Sequence, residues 1–444
     1  MVFKRFFERR PSAEPEPAAD RADEGVDEEV DVEPEAEAAI DENPEWSESI
    51  DWRARAEAVL PSGSSTGSKR AEALYGRADA SGPSHFLRAA GCRVVDADEH
   101  ELIDCTMALG AVSLGYAEAQ VTQAVITAAR AGNVAGLASV HEVEVAERLC
   151  DVIPCAERVQ FLKTGAEAMA AAVRIARTYT GRDVVVGSGY FGWLDWSSEA
   201  AGVPAGVRAD FIKVPFDDVA ALEAAAERAG TRLAAIVLEP VVERLPSPEW
   251  VQRARELCDR AGAALVFDEM KTGFRLRTGG YQEYAGVTPD LAAFGKALAN
   301  GYPLAAVVGK EALMSAARRS WISSTLASEA VSLAAAHAVL EWHERADICE
   351  ALWKAGQEMR TSVEAAFTAA GVQGVEVVGI DPMWLLRWDE PMRETRFLEL
   401  AARAGVLFKR GAYNYASVAH DEDALREIEA VASQAFVELR DEER

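Results

Sequence analysis

The 444-residue chain is short of positive charge: Lys and Arg number 46 against 73 Asp and Glu, a net charge of −27. The deficit is uneven. Residues 1–50 hold 17 acidic and five basic residues, so −12 sits there and −15 is spread over the remainder. A surface of that sign repels phosphate backbones, which argues against nucleic acid as a partner. Small anionic ligands stay possible where a local pocket is positive. The six cysteines (92, 105, 150, 155, 258 and 349) form no CxxC pair, and the six histidines form no HExxH, so no metal site is expected. Most of the cysteines lie in apolar surroundings and are expected as reduced core residues of an intracellular, cytoplasmic protein. There is no apolar run of about eighteen residues, so no membrane span is expected. The opening MVFKRFFERR lacks the apolar stretch of a signal peptide. It reads as a disordered end or as a short amphipathic anchor. Residues 11–48, rich in Glu, Asp, Ala and Pro, lack the hydrophobicity to fold alone.

The length is enough for a large core and two or three domains. Ordered sequence is expected from near Trp52, with a helix over 52–60 and a Gly/Ser-rich loop over 61–69. Residues 86–106 alternate apolar and polar around a polar break, as a β-hairpin would. Helical periodicity returns over 118–131. Strands are then expected at 159–163, 184–188, 211–215, 233–239, 264–269, 291–295 and 304–309. Helices at 166–179, 217–229 and 248–261 separate several of them, and another covers 329–345. That order is the pattern of an α/β protein with a mostly parallel, doubly wound sheet.

The most informative stretch is 266–296, VFDEMKTGFRLRTGGYQEYAGVTPDLAAFGK. One apolar run delivers Asp268 and Glu269, and a second delivers a glycine and Lys296. An ammonium at the end of a buried strand is costly without a partner or a chemical task. An acid and a lysine at two strand ends are what an enzyme needs to hold pyridoxal 5'-phosphate. The lysine forms the Schiff base and the acid partners the pyridinium nitrogen. Asp268 falls where ligands bind in open α/β sheets. Met270, two residues on, points the same way if the strand continues, and can pack on one ring face. A snorkelling surface lysine is the plainer reading of Lys296.

Four other segments fit the same chemistry. Behind the strand at 159–163, Gly165 and Ala166 open an Ala-rich helix, an arrangement whose free N–H groups cradle phosphate. An ordinary strand–turn–helix connection looks the same. Tyr190 in GYFGW (189–193) can offer a ring face to a flat cofactor, although aromatics at strand ends are commonly core. Glu239 follows a buried strand and serves either the site or a cap. Ser324 and Thr325 are read as immediately preceding a helix, as a second anion site or a plain N-cap. In a dimer this loop can reach the other copy's phosphate.

With those residues in hand, the chain resembles the class III aminotransferases, fold-type I pyridoxal-phosphate enzymes. It most resembles the branch containing glutamate-1-semialdehyde 2,1-aminomutase. PSGSSTGSK (61–69), GCRVVDADEHELIDC (91–105), TGAEA, YFG, EPV, DEMKTGFR, PDLAAFGK, GYPLAAVVG, the SSTL loop and SVAHDEDAL (417–425) follow in the family's order. The resemblance implies a large cofactor-binding domain over 111–340. A small α+β domain would be built from both chain ends, 51–110 and 341–444, with 1–50 an acidic disordered tail outside it. It implies a homodimer with active sites at the interface. It supports Lys296 and Asp268 as catalytic, with Gly165, Ala166, Tyr190 and a second copy's Thr325 at the cofactor.

The departures concern the substrate. Ala166 replaces the family's hydroxyl residue, Phe191 its histidine, and Ser328–Glu329–Ala330 its GNP segment. The aminomutase's loop arginine aligns with Lys69, beside Arg70, and KRGAYNY (409–415) lacks an acidic residue found there in the aminomutase. Lys69, Arg70, Lys409 and Arg410 are the candidates for an acidic group on the substrate. The expectation is a pyridoxal-phosphate-dependent aminotransferase acting on a small amine donor and a keto or aldehyde acceptor. An intramolecular aminomutase and a cofactor-binding protein without turnover are the alternatives.

Overall fold

The computed structural model describes residues 46–444 other than Asp79 and Ser81. The acidic segment ahead of Trp46, with its basic and aromatic opening peptide, lies outside the described residues. The first helix, Ser47–Val59, begins five residues before the periodicity predicts. Its cap comes from a distant carboxylate: Asp98 accepts from the backbone N–H groups of Glu48 (2.7 Å) and Ser49 (3.0 Å). No local pattern announces such a cap.

The predicted hairpin is a three-stranded meander, β1 (Phe86–Ala90), β2 (Arg93–Asp96) and β3 (Glu101–Asp104). The central sheet contains β4 (Arg158–Leu162), β5 (Val184–Ser188), β6 (Phe211–Lys213), β7 (Leu233–Leu238), β8 (Ala264–Asp268), β9 (Leu291–Phe294) and β10 (Ala305–Gly309). Its order is β4-β10-β9-β8-β7-β5-β6. Only β10 runs against the rest, so β4, antiparallel to it, points the same way as β9. A third sheet joins β11 (Val375–Ile380), β12 (Met383–Trp388) and β14 (Asn414–Tyr415). The short β13 (Val406–Leu407) pairs parallel with β3, so segments from both ends of the described chain meet in one sheet.

Strands β5, β7, β8, β9 and β10 are buried at every position. They read as continuous apolar runs because helices cover both faces. Alternate residues feed two cores. Val185, Val237, Val266 and Ala293 meet the helix Gly165–Thr180 on one face. Val186, Ile236, Leu265 and Phe267 meet Trp250 and Cys258 of the helix Pro248–Ala261 on the other. All six cysteines are free, and all but Cys150 are buried.

Candidate active site

Parallel strands that share a direction end along one edge, and this edge collects the polar groups. Tyr190 follows β5, Glu239 follows β7, Asp268 closes β8 and Lys296 lies two residues past β9. Those four strands are consecutive neighbours in the sheet. Asp268 pairs in register with Ala293 of β9. Lys296 adopts a left-handed backbone, φ 49°, at the start of the short 3-10 turn Lys296–Ala299. A non-glycine residue is uncommon there and must be held by the structure around it.

The environments of the acid and the lysine push both toward neutrality. Asp268 is buried, and its carboxyl is raised to about 7 by burial first and by nearby Glu239 second. The N–H of Met270 (3.0 Å) and the charge of Lys296 oppose that rise. Burial first, and then Lys271, lower the Lys296 ammonium to about 8, with Asp268 pulling the other way. Glu269, next in sequence, is spent on structure. It is fully enclosed and accepts from the Thr272 hydroxyl and the N–H groups of Tyr281 (2.7 Å) and Gln282 (3.0 Å). Of the two carboxylates that end this strand, only Asp268 faces the lysine.

The cradle is closely fitted. Thr164 caps the helix Gly165–Thr180 in a capping box with Glu167. A Cβ on Gly165 would lie 2.9 Å from Met270 Sδ, and one on Gly295 2.7 Å from the same atom. Met270 therefore fills the gap between the helix start and the residue before Lys296. A Cβ on Gly192 (φ +92°) would sit 2.4 Å from Ala166 Cβ. Ala166 thus offers its N–H at the helix start, and its methyl supports the GYFGW turn.

That turn separates its two aromatics. Phe191 is core, stacked on Trp196 (5.6 Å) and edge-on to Phe211. Tyr190 is 72 % exposed. Its N–H donates to Glu239 Oε2 at 3.0 Å, so Glu239 sets the turn. Glu239 Oε1 lies 2.5 Å from Lys271 Nζ.

The expected Ser324–Thr325 helix cap is not there. The helix is Ala330–Arg345, and its cap is Glu329, whose side chain accepts from Val331 and Ser332. Glu329 also pairs with Lys163 at 2.7 Å, one residue before the Thr164 cap. A long acidic side chain outcompeted the hydroxyls and left Thr325 exposed in the preceding loop.

The substrate candidates divide. Lys69 and Lys409 line one cavity of about 260 Å³, whose walls include Leu74, Leu109 and Phe408. The cavity contains none of Lys296, Asp268, Glu239 or Tyr190. Lys409 is buried, donates to the Ala73 carbonyl (2.8 Å), and is lowered to about 8 by burial and then by Arg410. Arg410 lies 3.7 Å from Glu394, and Arg70 turns back to the Ser64 carbonyl (3.4 Å).

Two cations escaped the sequence reading, Lys271 and Arg275, both in the turn after β8. Arg275 is fully buried and donates to the Gly110 carbonyl. The available signal was their presence four residues apart directly behind Asp268. Gly110 ends a turn in which Met107, Ala108, Leu109 and Gly110 all have positive φ.

The arrangement fits pyridoxal phosphate. It offers a buried carboxylate, a neighbouring amine with a depressed pKa, a helix N-terminus, and two glycines where a Cβ would crowd Met270. The family model for class III aminotransferases matches residues 76–191 and 200–419. The 3-aminobutyryl-CoA aminotransferase of Cloacimonas acidaminovorans is 33 % identical over 79 % of this chain and 88 % of its own. The glutamate-1-semialdehyde 2,1-aminomutase of Polynucleobacter necessarius is 31 % identical over 80 % of this chain and 92 % of its own. Among solved structures, the pyridoxal-phosphate internal-aldimine form of the Sphingopyxis FumI protein superposes with a TM-score of 0.83. It is 28 % identical and covers 88 % of this chain and 95 % of its own. The chain belongs to the class III aminotransferases, pyridoxal-phosphate enzymes of fold type I.

Proposed function

We propose that amino transfer in this enzyme runs on Lys296 and Asp268, between an amine donor and a keto or aldehyde acceptor. The observation that carries this reading is their juxtaposition at the ends of two paired parallel strands, β8 and β9. Pyridoxal phosphate supplies an electron sink for the charge left when the donor's Cα loses a proton. Asp268 keeps a proton at the pyridine nitrogen, because a cation brought against its carboxylate favours the ionised acid. Lys296 is the attachment point. With its amine free, Lys296 would be the base that moves a proton at the donor's Cα, a task suited to an amine lowered to about 8. The N–H groups of Gly165 and Ala166 hold the phosphate at the helix start. Met270 and Tyr190 would hold the ring, and Glu239 fixes the Tyr190 turn.

The second copy belongs to this reading. Trp193 is 72 % exposed, Trp321 87 % and Leu137 87 %. Their loops adjoin. Asn133 accepts from the N–H groups of Ala330 and Val331 (2.9 Å each), and Lys163–Glu329 ties the 321–329 loop to the cradle. We infer a cytoplasmic homodimer that covers this rim and brings Thr325 of one copy to the phosphate of the other. The proposed division is a cofactor domain over 111–340 and a small domain from 51–110 and 341–444. Pairing of β13 with β3 supports it.

Similarity to an aminomutase favours a second reading, in which one amino aldehyde is both donor and acceptor. A panel of amines with and without a keto acid separates the two. Transfer requires both partners, whereas an aminomutase turns over one substrate alone. Full turnover by a Lys296→Ala variant would sink both.

A further inference from the structure

The turn behind Asp268 presents Lys271 and Arg275, and each meets an aromatic ring from the far end of the chain. Lys271 Nζ lies 4.4 Å from the centre of the Tyr413 ring, and Arg275 Cζ lies 4.7 Å from that of Tyr415. Two tyrosines two residues apart on an extended segment point to one side. Two cations four residues apart on a tight turn match that spacing. The aromatic partner is itself fixed. Tyr415 pairs with Met383 of β12 and donates its N–H to the Cys105 carbonyl at 2.8 Å. The Tyr413 hydroxyl accepts from the Glu243 N–H at 2.8 Å.

Lys271 has a second contact that Arg275 lacks. Its ammonium is 2.5 Å from Glu239 Oε1, while Glu239 Oε2 holds the Tyr190 N–H. Glu239 and Asp268 end adjacent strands, β7 and β8. Without Lys271, two carboxylates would face one site. A buried acid left unpaired is strongly destabilising and alters the titration of every charge around it. Both side chains are nearly buried, 12 % and 11 % exposed, so solvent screens the pair little.

We propose that Lys271 is a positioning residue for the transfer reaction. It holds Glu239 as a neutral pair so that Asp268 is the only uncompensated anion offered to the cofactor ring. Through Tyr413 it also ties this charge balance to the 409–415 segment. The proposal rests on Lys296 and Asp268 being the cofactor's partners. The charged groups that face Lys296 are Asp268, Glu239, Lys271 and Arg275. Removing one cation from that set favours a protonated Lys296 nitrogen, so with the cofactor bound its titration would move upward.

The test is a pH titration of the visible absorbance of the full-length holoenzyme. In Lys271→Met the midpoint rises by about one pH unit. In Lys271→Arg it stays at the parent value, because the ion pair is kept. A paired substitution, Glu239→Gln with Lys271→Gln, removes both charges and also keeps the midpoint near the parent. It guards against a Lys271→Met protein that fails to fold. A midpoint unchanged in Lys271→Met, or shifted equally in the neutral pair, would overturn the proposal. No Lys296-dependent band in the parent defeats the Lys296 assignment itself, and this proposal with it.

Discussion

Lys296 and Asp268 are both shifted by their surroundings, and their titration makes that measurable. An amine lowered to about 8 is largely unprotonated by pH 9, whereas an ordinary lysine is not. The rate of cofactor attachment to cofactor-free protein is therefore predicted to rise about tenfold from pH 7 to pH 9 and then level off. A rise still steep beyond pH 9 would place the lysine in an ordinary environment. Asp268 gives the opposite sign. Its carboxyl sits near 7 when folded and near the ordinary value of 3.8 when unfolded, so the folded state binds the proton more tightly. Its burial therefore costs stability increasingly as pH rises from about 4 to about 7, and by a constant amount above that. In cofactor-free protein, Asp268→Asn is predicted to melt above the parent, with the gap widening across that window. In the holoenzyme the same substitution is predicted to retain the cofactor and to lower kcat by roughly 10²–10³. The placement of Lys296 and Asp268 at neighbouring strand ends was legible because their types are improbable there. Lys271 and Arg275 were harder to place, since their spacing behind Asp268 does not say which side chains of a turn fold back inside.

At the scale of elements, the alternation of apolar strand runs with helical periods located the whole central sheet. The failures came where a distant group set the local conformation. Asp98 caps a helix some fifty residues before it, and Glu329 displaced Ser324 and Thr325 as a cap. The turn Met107–Gly110 holds four consecutive positive φ values, of which only one falls on glycine. Such conformations cost about 1–2 kcal/mol per non-glycine residue, so tertiary contacts must hold them. Arg275 on the Gly110 carbonyl supplies one. The Asn300 side chain, accepting from Ser113 and Leu114 (3.0 Å each), supplies another just beyond the turn. The cradle gives a prediction of its own. Gly192→Ala would place a methyl 2.7 Å from the backbone Cα of Ala166, at a φ that disfavours any side chain. It is predicted to cost about 1–3 kcal/mol and to weaken cofactor binding, read by thermal melts with and without cofactor. A fully retained cofactor affinity would dissociate the GYFGW turn from the proposed phosphate site.

Across the molecule, the acidic balance, the exposed aromatics and the three sheets have separate meanings. No helix among the described residues is long and apolar enough to cross a membrane. Trp193, Trp321 and Leu137 are large apolar groups that stand exposed, and they are the basis of the proposed association surface. On the proposed homodimer, Trp321→Asp is predicted to shift the protein toward monomer in sedimentation and to reduce activity with it. A dimer of undiminished stability would move the interface elsewhere. The proposal of a dimer came from the family resemblance, because exposure is a property of the fold and not of the residues in order.

If Lys296 carries the cofactor as proposed, borohydride reduction of the reconstituted holoenzyme, followed by peptide mass mapping, yields a single pyridoxyl adduct on Lys296 and none in Lys296→Ala. An adduct on another lysine, with Lys296 unmodified in active enzyme, would contradict the proposal.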